Sequence, residues 1–152
     1  MKKGYIILII LGFYGFNLFS QQNSCNVNAN GVAILGYDVV AYFDNEAKKG
    51  KPKYSYTYKE VEYYFSSNKN CEKFKLHPNK YLPQYGGWCA YAMSKKGEKV
   101  EMDPKIFEIR DGKLYLFYKS FFNNTYKSWL TENPKVLKKQ GDINWQKMNS
   151  KK

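Results

Sequence analysis

Histidine, arginine and cysteine are scarce in this 152-residue chain: His77 is its sole histidine, Arg110 its sole arginine, and Cys25, Cys71 and Cys89 its only thiols. One histidine excludes a His-rich zinc centre built within a single chain. One arginine among 25 basic residues argues against specific nucleic-acid recognition, which favours the planar guanidinium fork, so no nucleic-acid partner is expected. Three cysteines are too few for a disulfide-dense miniprotein, and the composition is not collagen-like. Aromatic residues are abundant instead, with 15 Tyr, 10 Phe and 3 Trp in a chain that is 43% hydrophobic. That is enough to bury a core, which excludes wholesale disorder, and the length suits one domain.

Lys2 and Lys3 precede an apolar run from Gly4 to Phe19, after which Ser20-Gln21-Gln22 turns polar. The pattern predicts a secretory signal peptide over 1–20, cleaved after Ser20, because the run is short for a membrane span of about 20 apolar residues. An uncleaved anchor would place the domain on the same side of the membrane. Cys25 offers a lipoprotein acceptor as a further alternative, but Gln22-Asn23-Ser24 is a poor preceding sequence for one. Either route implies an exported, periplasmic or envelope-associated protein. The mature chain keeps 23 basic and 13 acidic residues, read as solvated lysine faces or, alternatively, as attraction to an anionic envelope surface.

Residues 21–31 are polar and aperiodic, and the expectation is a flexible tether ahead of a domain spanning 32–148, with 149–152 as a polar tail. Tyr54, Tyr56 and Tyr58 alternate with Ser55 and Thr57, and Val61, Tyr63 and Phe65 repeat the pattern after Lys59-Glu60, predicting a hairpin. Ser67 is placed to cap a helix that faces Cys71 and Phe74 inward and stops at Pro78. Trp88 to Met93 reads as a strand with Cys89, Tyr91 and Met93 on one face. Asp111-Gly112 is a favoured two-residue turn, setting Arg110 opposite Lys113, Ile109 opposite Leu114 and Phe107 opposite Leu116. Phe122, Tyr126, Trp129 and Leu130 have helical spacing, and Asn133-Pro134 reads as the cap and first residue of a last helix toward Trp145. No internal repeat is evident. The whole predicts an α+β fold, a mainly antiparallel sheet with one helix inserted between hairpins and two C-terminal helices.

Two chemistries suggest themselves. Cys89 follows the Gly86-Gly87 turn, and with Met93 and His77 it could offer thiolate, thioether and imidazole to a soft ion such as copper. A buried free cysteine is equally a small hydrophobe, and a reactive thiol is a third reading. Alternatively, Tyr37, Asp38, Tyr85, Gly86 and Gly87 would line an aromatic pocket for a small ligand or protein partner without metal. Asp38 is expected to accept hydrogen bonds from backbone or a tyrosine. Catalysis is not favoured, since only His77 could activate Cys89.

The blocks Tyr63-Tyr64-Phe65-Ser66-Ser67, Phe74, Pro78 and Tyr81 resemble the YHS domain, and Gly36 to Phe43, Pro83 to Tyr91, Asp111 to Leu116 and Asn144-Trp145 resemble its exported bacterial branch. The likeness covers about 32–147. In the family's intracellular members a cysteine pair suggests metal binding, but Ser66 and Asn70 stand at those two positions here and Cys71 is one residue out of register. The resemblance therefore implies a binding domain, with Cys89 the residue that keeps a metal role open.

Overall fold

The computed structural model describes residues 24–150, so the expected signal peptide and its cleavage point lie outside the described residues. Two antiparallel hairpins organise the chain. β1 (Lys51–Tyr58) pairs with β2 (Val61–Phe65), setting Tyr56 opposite Tyr63, across a turn in which Lys59 and Glu60 take φ of 49° and 65°. β3 (Asp103–Arg110) pairs with β4 (Lys113–Phe117) across Asp111-Gly112 in the expected register, Arg110 to Lys113, Ile109 to Leu114 and Phe107 to Leu116. Positive φ at both turn positions matches the right-handed twist of the strands, which is why so short a turn fixes the register.

The class is α+β, and the hairpins form two separate two-stranded sheets. Between them lie α1 (Asn68–Leu76), the single turn α2 (Pro78–Tyr81) and α3 (Ala90–Lys96), followed after β4 by α4 (Thr125–Thr131) and α5 (Pro134–Ser150). Ser67 caps α1 by accepting from Asn70 N, and Cys71 and Phe74 point inward as their spacing demands. The β3–β4 hairpin is a wall between two cores. Leu114 and Leu116 pack with Val61, Tyr63, Phe65 and Phe74 on one side. On the other, Tyr115 and Phe117 pack with Trp129, Met93 and Leu137.

Three expectations are corrected. Trp88 to Met93 is not a strand: Ala90 opens α3, whose buried Ala90, Met93 and Ser94 follow helical spacing, with Lys95 and Lys96 in the last turn and Gly97 closing it at φ 66°. Six nearly all-apolar residues fit either period, and the Lys-Lys-Gly ending is what favours the helix. Phe122 lies outside α4, because Asn124 caps that helix by accepting from Tyr126 N, and Leu130 is half exposed. Ser24 to Gly31 is no free tether: Asn26 is 2% exposed and its N–H donates to Gly86 O at 2.8 Å, while Val27 pairs with Ala33.

The structure also shows an internal repeat, spaced by 51 or 52 residues through the turn and hairpin and by 55 in the helix that follows. Ile34, Leu35 and Gly36 take positive φ in succession, as do Tyr85, Gly86 and Gly87. The next buried residues, Asp38 and Cys89, donate their N–H to Lys48 O and Val100 O, each at 2.9 Å. Both hairpins start X-Pro-Lys and carry the same register shift, between Lys51 and Ser55 and between Asp103 and Phe107. Parallel bridges join Val32 to Glu62 and Pro83 to Leu114. Each hairpin's following helix then buries an aromatic residue against its second strand, Phe74 on Tyr63 and Phe65, and Trp129 on Tyr115 and Phe117. The repeat escapes the sequence because few side chains coincide, whereas the backbone conformations and hydrogen bonds do.

Candidate functional site

In each repeat the first buried residue after the left-handed turn is an acceptor that locks the hairpin to its helix. Asp38 is fully buried; its Oδ1 accepts from Val40 N at 2.9 Å and Ala41 N at 3.2 Å. Its Oδ2 accepts from Ser66 N at 2.8 Å, Ser66 Oγ at 2.7 Å and Asn70 Nδ2 at 2.8 Å. Backbone donors were expected and are present, but the side-chain donors are Ser66 and Asn70 rather than a tyrosine. These are the two positions at which the family resemblance would place a cysteine pair. In this chain both groups are spent on a buried carboxylate.

Cys89 fills the equivalent socket in the second repeat. Its Sγ accepts from Tyr118 N at 3.3 Å, just as Asp38 accepts from the residue that follows β2, and it lies 3.3 Å from Thr125 Oγ1, the counterpart of Asn70. Asn70 precedes Phe74 by four residues and Thr125 precedes Trp129 by four, one helical turn in both cases. Cys89 and Met93 are both fully buried, whereas His77 is exposed at the junction of α1 and α2. Among the described residues no three His, Cys, Asp or Glu side chains gather in a metal-binding group. The three residues singled out for a soft metal are thus not brought together as an open cluster.

A cleft of about 460 Å³ opens where the first hairpin, the Pro83–Gly86 turn and α5 meet. That volume lies within the range of small-ligand pockets. Tyr58 and Trp145 supply ring surface, backed by the nearly buried Tyr63 and Tyr85, with Asp142, Gln84 and Gln146 as polar groups, Cys25 inside, and Lys59 and Lys113 also lining it. Tyr85 is held by its left-handed backbone and by its phenol, which donates to Lys138 O at 3.1 Å or Asp142 Oδ1 at 3.0 Å. Gly86 has no room for a side chain, since a Cβ would lie 2.3 Å from Ser24 O and 3.1 Å from the Trp145 ring. The Ser24 strap is fixed there, its carbonyl also accepting from Trp88 Nε1 at 3.0 Å.

Of the residues expected to form a pocket, Tyr85 and Gly86 line the cleft. Gly87 turns toward the core, where a Cβ would meet Ile34 Cδ1 at 2.2 Å. Tyr37 and Asp38 belong to the first repeat's own turn, with the Tyr37 ring under Lys49 Nζ at 4.9 Å. Sequence reasoning missed Cys25, Tyr63, Asp142 and Trp145 as neighbours. The signal for Trp145 was its place on one face of α5 with Leu137 and Gly141; nothing local linked that face to Tyr63.

Burial pushes up the pKa values of the Cys25 thiol and of the Tyr63 and Tyr85 phenols; the neighbouring Asp142 carboxylate adds to the rise at Tyr85. Cys25 Sγ lies 3.8 Å from Tyr63 Oη. All three groups therefore stay protonated near neutral pH, and the cleft presents hydrogen-bonding groups and ring faces rather than a thiolate. Comparison of the chain with family models, curated proteins and solved structures finds no match.

Proposed function

We propose that this chain is a binding domain whose aromatic cleft takes a small, hydroxyl-bearing ring compound such as a sugar. The observation that carries the reading is the joining of four aromatic residues, two carboxamides and a carboxylate around one cavity of ligand size. Ring faces stack on the C–H surfaces of a sugar, while planar amides and a carboxylate pair with adjacent hydroxyls. Tryptophan fluorescence of the chain, titrated with a panel of mono- and disaccharides, tests it. Saturable binding weakened by Gln84→Ala/Gln146→Ala at unchanged melting temperature is the expected result; a flat response to every member refutes the sugar class.

The soft-metal reading through Cys89 has less support, since its sulfur already accepts the Tyr118 N–H and His77 lies at the surface. Anaerobic Cu(I) titration of the parent and of Cys89→Ala separates the two: stoichiometric binding lost in the variant would restore copper. We further propose that the domain is exported and belongs with the YHS family. Export rests on Lys2-Lys3 and the apolar run after it, and N-terminal sequencing of the protein from its native cell checks it. The family assignment rests on the Tyr63 to Tyr81 blocks.

A further inference from the structure

The two repeats differ sharply at the joint between hairpin and helix. In the first, Ser66 and Ser67 alone connect β2 to α1; in the second, seven residues, 118–124, connect β4 to α4. The fold makes the same joint with two residues, so the longer connection is not required by the packing. It is nevertheless well ordered by its own bonds: Lys119 pairs antiparallel with Asn124, Ser120 N donates to Asn123 O at 2.7 Å, and Asn123 N donates to Ser120 Oγ at 3.2 Å. At its tip stand Phe121 and Phe122, 93% and 94% exposed, with ring centroids 4.8 Å apart.

Two adjacent phenylalanines held in water by a fixed turn forgo their burial energy unless something covers them. The surroundings say what. Exposed Lys119 precedes the two rings by two residues and exposed Lys127 follows them by five, the chain from 112 to 131 has no acidic residue, and the whole carries a formal charge of +12. A polyanion without apolar surface, such as polyphosphate, would satisfy the lysines but leave the rings in water. An anionic lipid interface satisfies both, with the rings entering the acyl boundary and the ammonium groups meeting headgroups.

We propose that the Phe121-Phe122 tip is a peripheral membrane contact that seats this domain on an anionic lipid surface. Two rings and two lysines give weak, reversible and salt-sensitive attachment. Because Gly4 to Phe19 is itself apolar, the test reads the tip alone. Full-length chain carrying Phe122→Trp is mixed with phosphatidylcholine vesicles, with or without phosphatidylglycerol, whose acyl chains are brominated. The expected result is tryptophan quenching beyond that of the parent chain, seen with phosphatidylglycerol and suppressed by salt. Lys119→Glu/Lys127→Glu in that background raises the lipid needed for half-maximal quenching about tenfold or more. No added quenching at the tip, or equal quenching without phosphatidylglycerol, overturns the proposal. So does a vesicle-free dimer abolished by Phe121→Ser/Phe122→Ser, which would assign the tip to a second copy of the chain.

Discussion

Replacing Asp38 by asparagine keeps the side chain's shape and removes its second acceptor oxygen, so its cost follows from the five donors around it. If the new amide nitrogen takes the Oδ1 place, it faces the Val40 and Ala41 N–H groups. Should it take the Oδ2 place, Ser66 Oγ and a flipped Asn70 can accept from it, but Ser66 N–H is left without its acceptor. The second arrangement is cheaper and still orphans one backbone donor, at about 1–3 kcal/mol, with a further 1–2 kcal/mol lost as charge-assisted bonds become neutral ones. Asp38→Asn is therefore expected to cost about 2–5 kcal/mol. Urea unfolding of variant and parent measures this as a lowered midpoint at unchanged slope. Ser66→Ala leaves the backbone donor satisfied and should cost about 1 kcal/mol, less still in the Asp38→Asn background. A loss below about 1 kcal/mol for Asp38→Asn would refute the claim that this carboxylate locks hairpin to helix.

Gly141→Ala reverses the usual sign of a helical glycine replacement. A Cβ there would lie 2.6 Å from Tyr85 Oη and 2.7 Å from Ser94 Oγ. Overpacking outweighs the propensity gain of about 1 kcal/mol, so a net loss of about 1–2 kcal/mol is expected, read in the same urea titration; an unchanged or higher midpoint contradicts it. In alkali, Tyr42, Tyr63, Tyr85 and Tyr115, all raised chiefly by burial, bind protons more tightly folded than unfolded. Their contribution is complete below the ordinary tyrosine value near 10 and is lost as pH rises above it. Circular dichroism and absorbance at alkaline pH should therefore show these phenols ionising together with unfolding, and their ionisation ahead of it would count against their burial. Carbamidomethylation of Cys25 should be slower near neutral pH than that of a free thiol, because burial keeps it protonated; a rate matching a free thiol would contradict this.

Hairpins and caps were legible from residue order because their causes are local. Asp111-Gly112 sets its own register, Ser67 bonds a donor three residues away, and the Tyr54 to Phe65 alternation needs one buried face and nothing more. The second core was half visible: Trp129 has a helical period, but Tyr115 and Phe117 lie on the hairpin face opposite to that of Leu114 and Leu116. That face is buried only because α3, α4 and α5 return to cover it.

The site was hidden for the same reason. Tyr63, Tyr85 and the α5 pair Asp142 and Trp145 come from three separate stretches of chain, and Cys25 from a fourth whose polar composition suggested a loose tether. Sequence alone determined the α+β class, both turns and the inward residues of α1, since each follows from contacts within a few residues. Tertiary structure decided that Asp38 and Cys89 are equivalent locks, that the Ser24 strap is held at Gly86, and that the rings meet in one cleft. Those outcomes depend on which distant donors and surfaces remain to be satisfied once the local elements have formed, and no short pattern of residues records that.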